Sequence, residues 1–140
     1  ILKYEAHEGF DTAAPYLSFF DRICSLKDET VSVIKSEKQK GKRIWGYGAS
    51  TKGNTLLQWY GLDDTLIDAI AERNPSKFGL KTVGTNIPIR SEDDMREENP
   101  DYLLVLPWHF ISEFTEREKQ YLSSGGKFIV PCPKFEIIGK

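Results

Sequence analysis

Two cysteines, two histidines and a single methionine are all that this 140-residue chain holds of the soft and borderline metal ligands. Cys24 and Cys132 stand far apart and match no zinc spacing, and two such residues make no disulfide framework. With no secretory signal in view, reduced thiols in a cytoplasmic protein are the expectation. Long hydrophobic runs are missing as well, so no stretch is long enough to span a membrane. Charge of one sign is not in excess: 19 Lys and Arg against 21 Asp and Glu leave a net charge of −2. That balance gives no electrostatic footprint for nucleic acid and no acidic tract for disorder. Internal repeats, low-complexity segments, a Ser-His-Asp order and paired carboxylates on one helix face are also lacking. The chain begins at Ile1 and not at Met, which points to a piece of something longer.

What remains is ordinary in amount and specific in arrangement. At 39% hydrophobic and 29% charged, the chain has one domain's worth of core. Its organising stretch is Lys42-Arg43-Ile44-Trp45-Gly46-Tyr47-Gly48-Ala49-Ser50-Thr51-Lys52-Gly53-Asn54-Thr55-Leu56-Leu57. A short apolar run breaks on two glycines and a helical pattern follows, the signature of a strand, tight turn and helix opening. Gly46 and Gly48 suit a sharp turn with close backbone approach. The helix start presents free N–H groups to an anion, with Lys52 and the hydroxyls of Ser50, Thr51 and Thr55 as added donors. The third glycine, Gly53, comes too late for G-x-G-x-x-G. Lys52 precedes a glycine and not Ser or Thr, so the stretch is no Walker loop.

The pattern predicts a strand-like start over Ile1–Ala6 and a linker carrying His7 and Glu8, which lack an orienting partner for acid–base work. A helix is predicted from Asp11 with Pro15 in its first turn. Asp28 is placed to cap a second helix if the pattern breaks near Leu26-Lys27, and Gly41 is placed to end the segment. The cations from Lys35 to Arg43 read as a solvated helix end. Strands follow at Arg43–Tyr47, Thr65–Ala71 and around Asn86-Ile87-Pro88-Ile89, the last at a sheet edge because Pro88 removes a donor. Ser91 and Asp94 form a capping box, Asp101–Leu106 reads as a core strand, a helix covers about Ser112–Ser124, and Lys127–Val130 is the final strand. The tail from Phe135 carries no signal. Alternation of this kind predicts an α/β, three-layer Rossmann-like domain with a mostly parallel sheet, preceded by an N-terminal helical segment. Residues 1–41 are expected to pack on a domain spanning 42–140.

Candidate functional residues gather where strands end. Glu72 closes the second strand about twenty residues past the glycine loop, where a dinucleotide fold keeps the acid that holds a ribose hydroxyl. Asn74 and Lys77 lie in the turn-rich loop leaving that strand. Trp108 and His109 follow the core strand. Each has a structural alternative: Trp108 as a core-closing aromatic, His109 as a helix N-terminal residue packed on its neighbour, Lys52 as a solvated lysine.

Gly46–Leu57, Glu72-Arg73-Asn74-Pro75-Ser76-Lys77-Phe78-Gly79, Gly84-Thr85-Asn86-Ile87-Pro88-Ile89, Pro100-Asp101-Tyr102, Leu106-Pro107-Trp108-His109 and Gly125-Gly126-Lys127-Phe128-Ile129-Val130-Pro131 occur in this order. From Tyr16 onward the chain thereby resembles the C-terminal domain of the S-adenosylmethionine-dependent C-methyltransferases that act on nucleotide-activated deoxysugars. The resemblance implies a Rossmann-like domain packed against a methyltransferase domain, with the nucleotide-sugar in the cleft between them. It implies that Gly46, Tyr47, Gly48, Ala49, Ser50, Lys52, Gly53, Asn54 and Thr55 line the diphosphate and sugar side, with Glu72, Asn74, Lys77, Trp108 and His109 nearby. Glu72 stands where many relatives carry Asp. The zinc motif, the S-adenosylmethionine pocket and the catalytic stretch of the family lie upstream and are absent here. His7 does not match that stretch. This portion alone is therefore expected to hold no cofactor and to turn nothing over, its partners being the nucleotide-sugar and the upstream domain. Two rivals stand beside this: a free-standing NAD(P)- or nucleotide-binding module, favoured by Glu72 and the glycine pair, and a purely structural domain whose glycine loop only packs.

Overall fold

Apolar runs this short form a stable sheet only when helices cover both faces. The computed structural model describes residues 2–139, and its strands build one sheet. They are β1 (Ile44–Tyr47), β2 (Ala69–Glu72), β3 (Ile89–Ser91), β4 (Tyr102–Val105), β5 (Lys127–Val130) and β6 (Glu136–Ile138). Their order is β3-β2-β1-β4-β5-β6. The pairs from β3 through β5 are parallel, and β6 runs antiparallel on β5. Helices α1 (Leu2–His7), α2 (Ala14–Gln39), α3 (Thr51–Tyr60), α4 (Glu92–Glu98), α5 (Ile111–Arg117) and α6 (Lys119–Ser123) complete the chain. The Rossmann-like three-layer α/β fold with an N-terminal helical segment is what forms, and its strand order reverses between β1 and β4.

The two cores follow from the period of two along each strand. Ile44, Ile70, Leu104 and Ile129 face one side, against Ile34 of α2 and Leu56, Leu57 and Tyr60 of α3. Trp45, Tyr47, Leu103, Val105, Phe128 and Val130 face the other, against Met95 of α4, Phe114 of α5 and Tyr121 of α6. Gly46 belongs to the first face, and a Cβ there would collide with the tip of Ile70. Gly53 lets α3 lie close to β4's continuation, since a Cβ would stand 2.6 Å from Cβ of Leu106. The late third glycine thus performs the helix–strand packing that the third glycine performs in the usual fingerprint.

Several local expectations are corrected. The described part of the N-terminal stretch is helical, Leu2–His7, and not a strand; Ile1 lies outside the described residues. No break occurs near Leu26-Lys27. With no glycine or proline between Pro15 and Gly41, α2 runs uninterrupted for 26 residues, and Asp28 lies within it. The second strand starts only at Ala69, because Asp63 draws the Thr65 N–H and hydroxyl into a turn. The edge strand begins at Ile89 and not at Asn86, whose φ of 59° bends the chain into the left-handed region. Edge position and the Ser91/Asp94 capping box are as expected. The helix near the end splits at Glu118, whose side chain is drawn inward to Tyr47 and Arg96. The tail adds β6, three residues too short to carry a periodic signal.

Candidate functional site

The site begins where β1 ends. Tyr47 is the last strand residue, and Gly48 at φ +85° turns the chain sharply enough to start α3 three residues later. Its N–H donates to the Ala71 carbonyl at 2.8 Å, tying the turn to β2. Ser50 caps α3, its Oγ accepting from the Gly53 N–H at 3.0 Å. These are local consequences of Gly and Ser at those positions.

The neighbouring strand then changes the character of the loop. Glu72 at the end of β2 accepts hydrogen bonds from the backbone N–H of Ala49 at 3.0 Å, Arg73 at 2.9 Å and Asn74 at 2.9 Å. Lys77 Nζ donates to the same carboxylate at 3.2 Å and to the Ala49 carbonyl at 2.7 Å. Burial pushes the Glu72 carboxyl up, but the Asn74 N–H, the Lys77 ammonium and the Arg73 N–H outweigh it and hold the group below its ordinary range. An internal carboxylate therefore occupies the glycine loop's Ala49 amide.

A pH dependence follows. In the unfolded chain the Glu72 carboxyl has an ordinary value of about 4.3, and in the fold it lies lower. Between the two the unfolded chain binds more protons, so stability rises with pH across that window. The contribution is full above about pH 5 and disappears as pH falls through the folded value. Glu72→Gln is expected to cost most stability at pH 7 and progressively less in acid, where the wild-type carboxyl is protonated too. Urea unfolding of both proteins at pH 7, 5 and 3.5 checks this; a gap that widens in acid would refute it.

Around the loop the molecule opens into a cleft of about 380 Å³ at the carboxyl ends of β1, β2 and β4, the place where ligands of open α/β sheets sit. Its floor is Tyr47, Gly48, Ala49 and Ser50. One wall is charged, with Glu72, Arg73 and Lys77; the other is apolar, with Pro107, Phe110 and Phe114. Arg117 closes the far end, its guanidinium 4.9 Å from the Phe114 ring centroid. A second cleft of about 470 Å³ lies on the α3 side of the same loop, sharing Ala49, Ser50 and Lys77 and adding Asn54 and Lys81. Asn54 Oδ1 is buried without a hydrogen-bond partner among the described residues.

Tyr47, Gly48, Ala49, Ser50, Glu72 and Lys77 thus come together at the first cleft, and Asn54 faces the second. Gly46 and Gly53 are packing positions beneath the loop. Lys52 and Thr55 are exposed on α3 and line neither cleft, the Thr55 hydroxyl donating to the Thr51 carbonyl. Asn74 caps the turn Pro75–Lys77 by accepting from the Ser76 N–H and hydroxyl. Trp108 is half-buried and packs against both cores, and the exposed His109 ring lies tilted at 42° with its centroid 4.2 Å from that of Phe110; neither lines the first cleft.

Sequence reasoning missed Arg73, Phe110, Arg117, Glu92 and Glu113 as lining residues. It also missed the buried network behind them. The Tyr47 hydroxyl donates to Glu118 Oε1 at 2.7 Å and accepts from Arg117 Nε at 3.1 Å. Arg96 holds Glu118 from the other side. Burial first, then the Glu118 carboxylate, push the Tyr47 phenol far above its ordinary value, and the hydroxyl, held between Glu118 and Arg117, fixes the cleft floor. Glu113 and Arg117 stand at i, i+4 on α5, a spacing common to solvated helix ion pairs and therefore no signal of a cleft.

Comparison with known proteins is decisive at this point. The family model described as the C-methyltransferase C-terminal domain matches residues 1–133. The chain belongs to this family. It is also 33% identical over 138 residues to the C-methyltransferase NovU of Streptomyces niveus, covering 99% of this chain. The chain spans about a third of that relative's length. Among the described residues of this C-methyltransferase C-terminal domain, no three His, Cys, Asp or Glu come together to hold a metal, and no helix is long and apolar enough to cross a membrane.

Proposed function

We propose that this domain binds and orients a nucleotide-activated keto-deoxysugar for methylation at carbon by a larger enzyme. The observation that carries the reading is the cleft at the β1/β4 reversal, with a charged wall on the β2 side and an aromatic wall on the α5 side. A nucleotide-sugar has the same two natures, a diphosphate and flat or apolar rings. Its size suits a partial site, near the low end of the roughly 300–1,000 Å³ of small-molecule pockets. The rest of the ligand would meet an upstream methyltransferase domain of the same chain. S-adenosylmethionine and zinc would be held by the upstream domains, the former as the source of the methyl group. A base of the upstream domain would take a proton from the carbon next to the sugar's keto group, and the resulting enolate would form a C–C bond to the methyl as its C–S bond breaks and the thioether leaves. This domain's share is orientation, which reduces such barriers by several kcal/mol.

The rival NAD(P) module needs a strand-end acid free for a ribose. Glu72 has its oxygens committed to three N–H groups and Lys77, which weighs against it. NMR titration of the chain with TDP, UDP, a TDP-keto-sugar, NAD and S-adenosylmethionine tests the reading. Saturable shifts with TDP ligands at Gly48–Ser50, Lys77 and Phe110, and none with NAD or S-adenosylmethionine, are expected. Saturable NAD shifts reaching Glu72, or no response to any TDP ligand, would overturn it for this domain.

A further inference from the structure

The cleft's charges are almost all committed internally, which singles out one residue. Three cations line it, Arg73, Lys77 and Arg117, with three carboxylates, Glu72, Glu92 and Glu113. Lys77 is held by Glu72 and the Ala49 carbonyl. Arg117 is held by Glu113 at 3.1 Å, by Glu92 at 3.4 Å and by the Tyr47 hydroxyl. The Ala49 amide, which an anion would otherwise meet, already donates to Glu72. Lys52 stands outside the cleft.

Arg73 differs from all of these. Its guanidinium makes no ion pair or hydrogen bond among the described residues, and the exposed residue lines both this cleft and the adjoining hollow beside Glu92, Asp93 and Arg96. Its backbone is nonetheless fixed, because Glu72 Oε1 accepts from both the Arg73 and Asn74 N–H groups. A rigid Cα carrying an uncommitted guanidinium suits bidentate capture of phosphate oxygens. We propose that Arg73 is the diphosphate-binding residue of this cleft, with the nucleoside or sugar ring lying across toward Phe110. This deepens the nucleotide-sugar reading and rests on it. Glu72 and Lys77 are then not phosphate ligands: their pairing closes the glycine loop and holds the turn that presents Arg73.

Calorimetric titration of the chain with TDP and with thymidine, for wild type, Arg73→Ala, Arg73→Lys and Lys52→Ala, is the test. Arg73→Ala is expected to weaken TDP about 10- to 100-fold, the range of a charge-assisted pair, and to leave thymidine within about twofold of wild type. Arg73→Lys recovers part of the TDP loss, because charge is kept and the fork is not. Lys52→Ala changes TDP less than twofold. Unchanged TDP affinity in Arg73→Ala, or a larger loss in Lys52→Ala, overturns the assignment while leaving the nucleotide-sugar reading standing. No saturable binding of TDP to the wild-type chain overturns both. Arg73 is exposed, and its anchoring bonds are backbone ones, so the variants retain the fold; matching amide spectra establish that directly.

Discussion

Glu118→Ala is expected to lower the unfolding free energy by about 3 kcal/mol, near the low end for breaking a buried ion pair by removing one partner. In Tm that is a fall of about 10 °C for a domain of this size. Glu118 is only 2% exposed and lies where three elements meet. Its Oε1 accepts from the Tyr47 hydroxyl of β1, and Arg96 of α4 donates to both of its oxygens. Truncation leaves the buried Tyr47 hydroxyl without an acceptor and one side of Arg96 without an anion. The loss stays at the low end because Arg96 keeps Glu92 at 3.0 Å and Asp93 at 2.9 Å. Glu118→Gln retains shape and an acceptor oxygen, and is expected to cost about 1–2 kcal/mol. Glu113→Gln, at the exposed end of the Arg117 pair, should fall within about 0.5 kcal/mol of wild type. Urea unfolding of the three variants decides the matter. A loss below about 1 kcal/mol for Glu118→Ala would mean that the network does not hold α4, α5 and β1 together.

Gly48→Ala is expected to cost about 2–5 kcal/mol and to abolish ligand-induced shifts in the cleft. The first part of the cost is conformational: at φ +85° an L residue pays for the left-handed backbone, about 1–2 kcal/mol. The second is steric, because the new Cβ would stand 2.7 Å from Cγ and 2.9 Å from Cδ of Pro107. A pyrrolidine ring cannot rotate aside, and overpacking of this kind costs about 1–3 kcal/mol. Relief would come from moving the β1 loop away from the β4 loop, which separates the cleft's floor from its aromatic wall. Gly46→Ala is the comparison. Its Cβ meets mainly the Ile70 side-chain tip, which can move, so a cost of about 1 kcal/mol and retained ligand response are expected. Should Gly46→Ala prove the more damaging by urea unfolding and amide spectra, the account of Gly48 as the obligatory turn would be wrong.

Much of the fold was legible because it is locally encoded. The β–α alternation, the turn at Gly48 and the Ser91/Asp94 box each depend on residues close together in the chain. Locally encoded features were misread where the signal was weak or reversible, and strand starts where a turn at Asp63 or Asn86 overrode the apolar pattern. Leu2–His7 is apolar enough for either strand or helix, Asp28 is a cap residue that a continuous helix tolerates, and β6 is three residues long.

The cleft is another matter. By itself the sequence determined a glycine turn, a helix start and an acid at the end of the next strand, together with the motif order that the family shares. Only the tertiary structure decided what those groups do. Glu72 and Ala49 are brought into hydrogen-bond contact because β2 lies beside β1 in the sheet, and this fills the amide that the turn alone would offer to a ligand. Phe110, Phe114 and Arg117 join the cleft because β4 lies on the other side of β1. Tyr47 meets Glu118 across a separation in sequence that no local pattern encodes. Lys52, one residue into a helix whose inner face is set by Gly53, Leu56 and Leu57, is exposed on the outer side. Strand order is a property of the whole chain's packing, so which side chains share a sheet edge, and which cation is left uncommitted there, could not be read until the sheet was assembled.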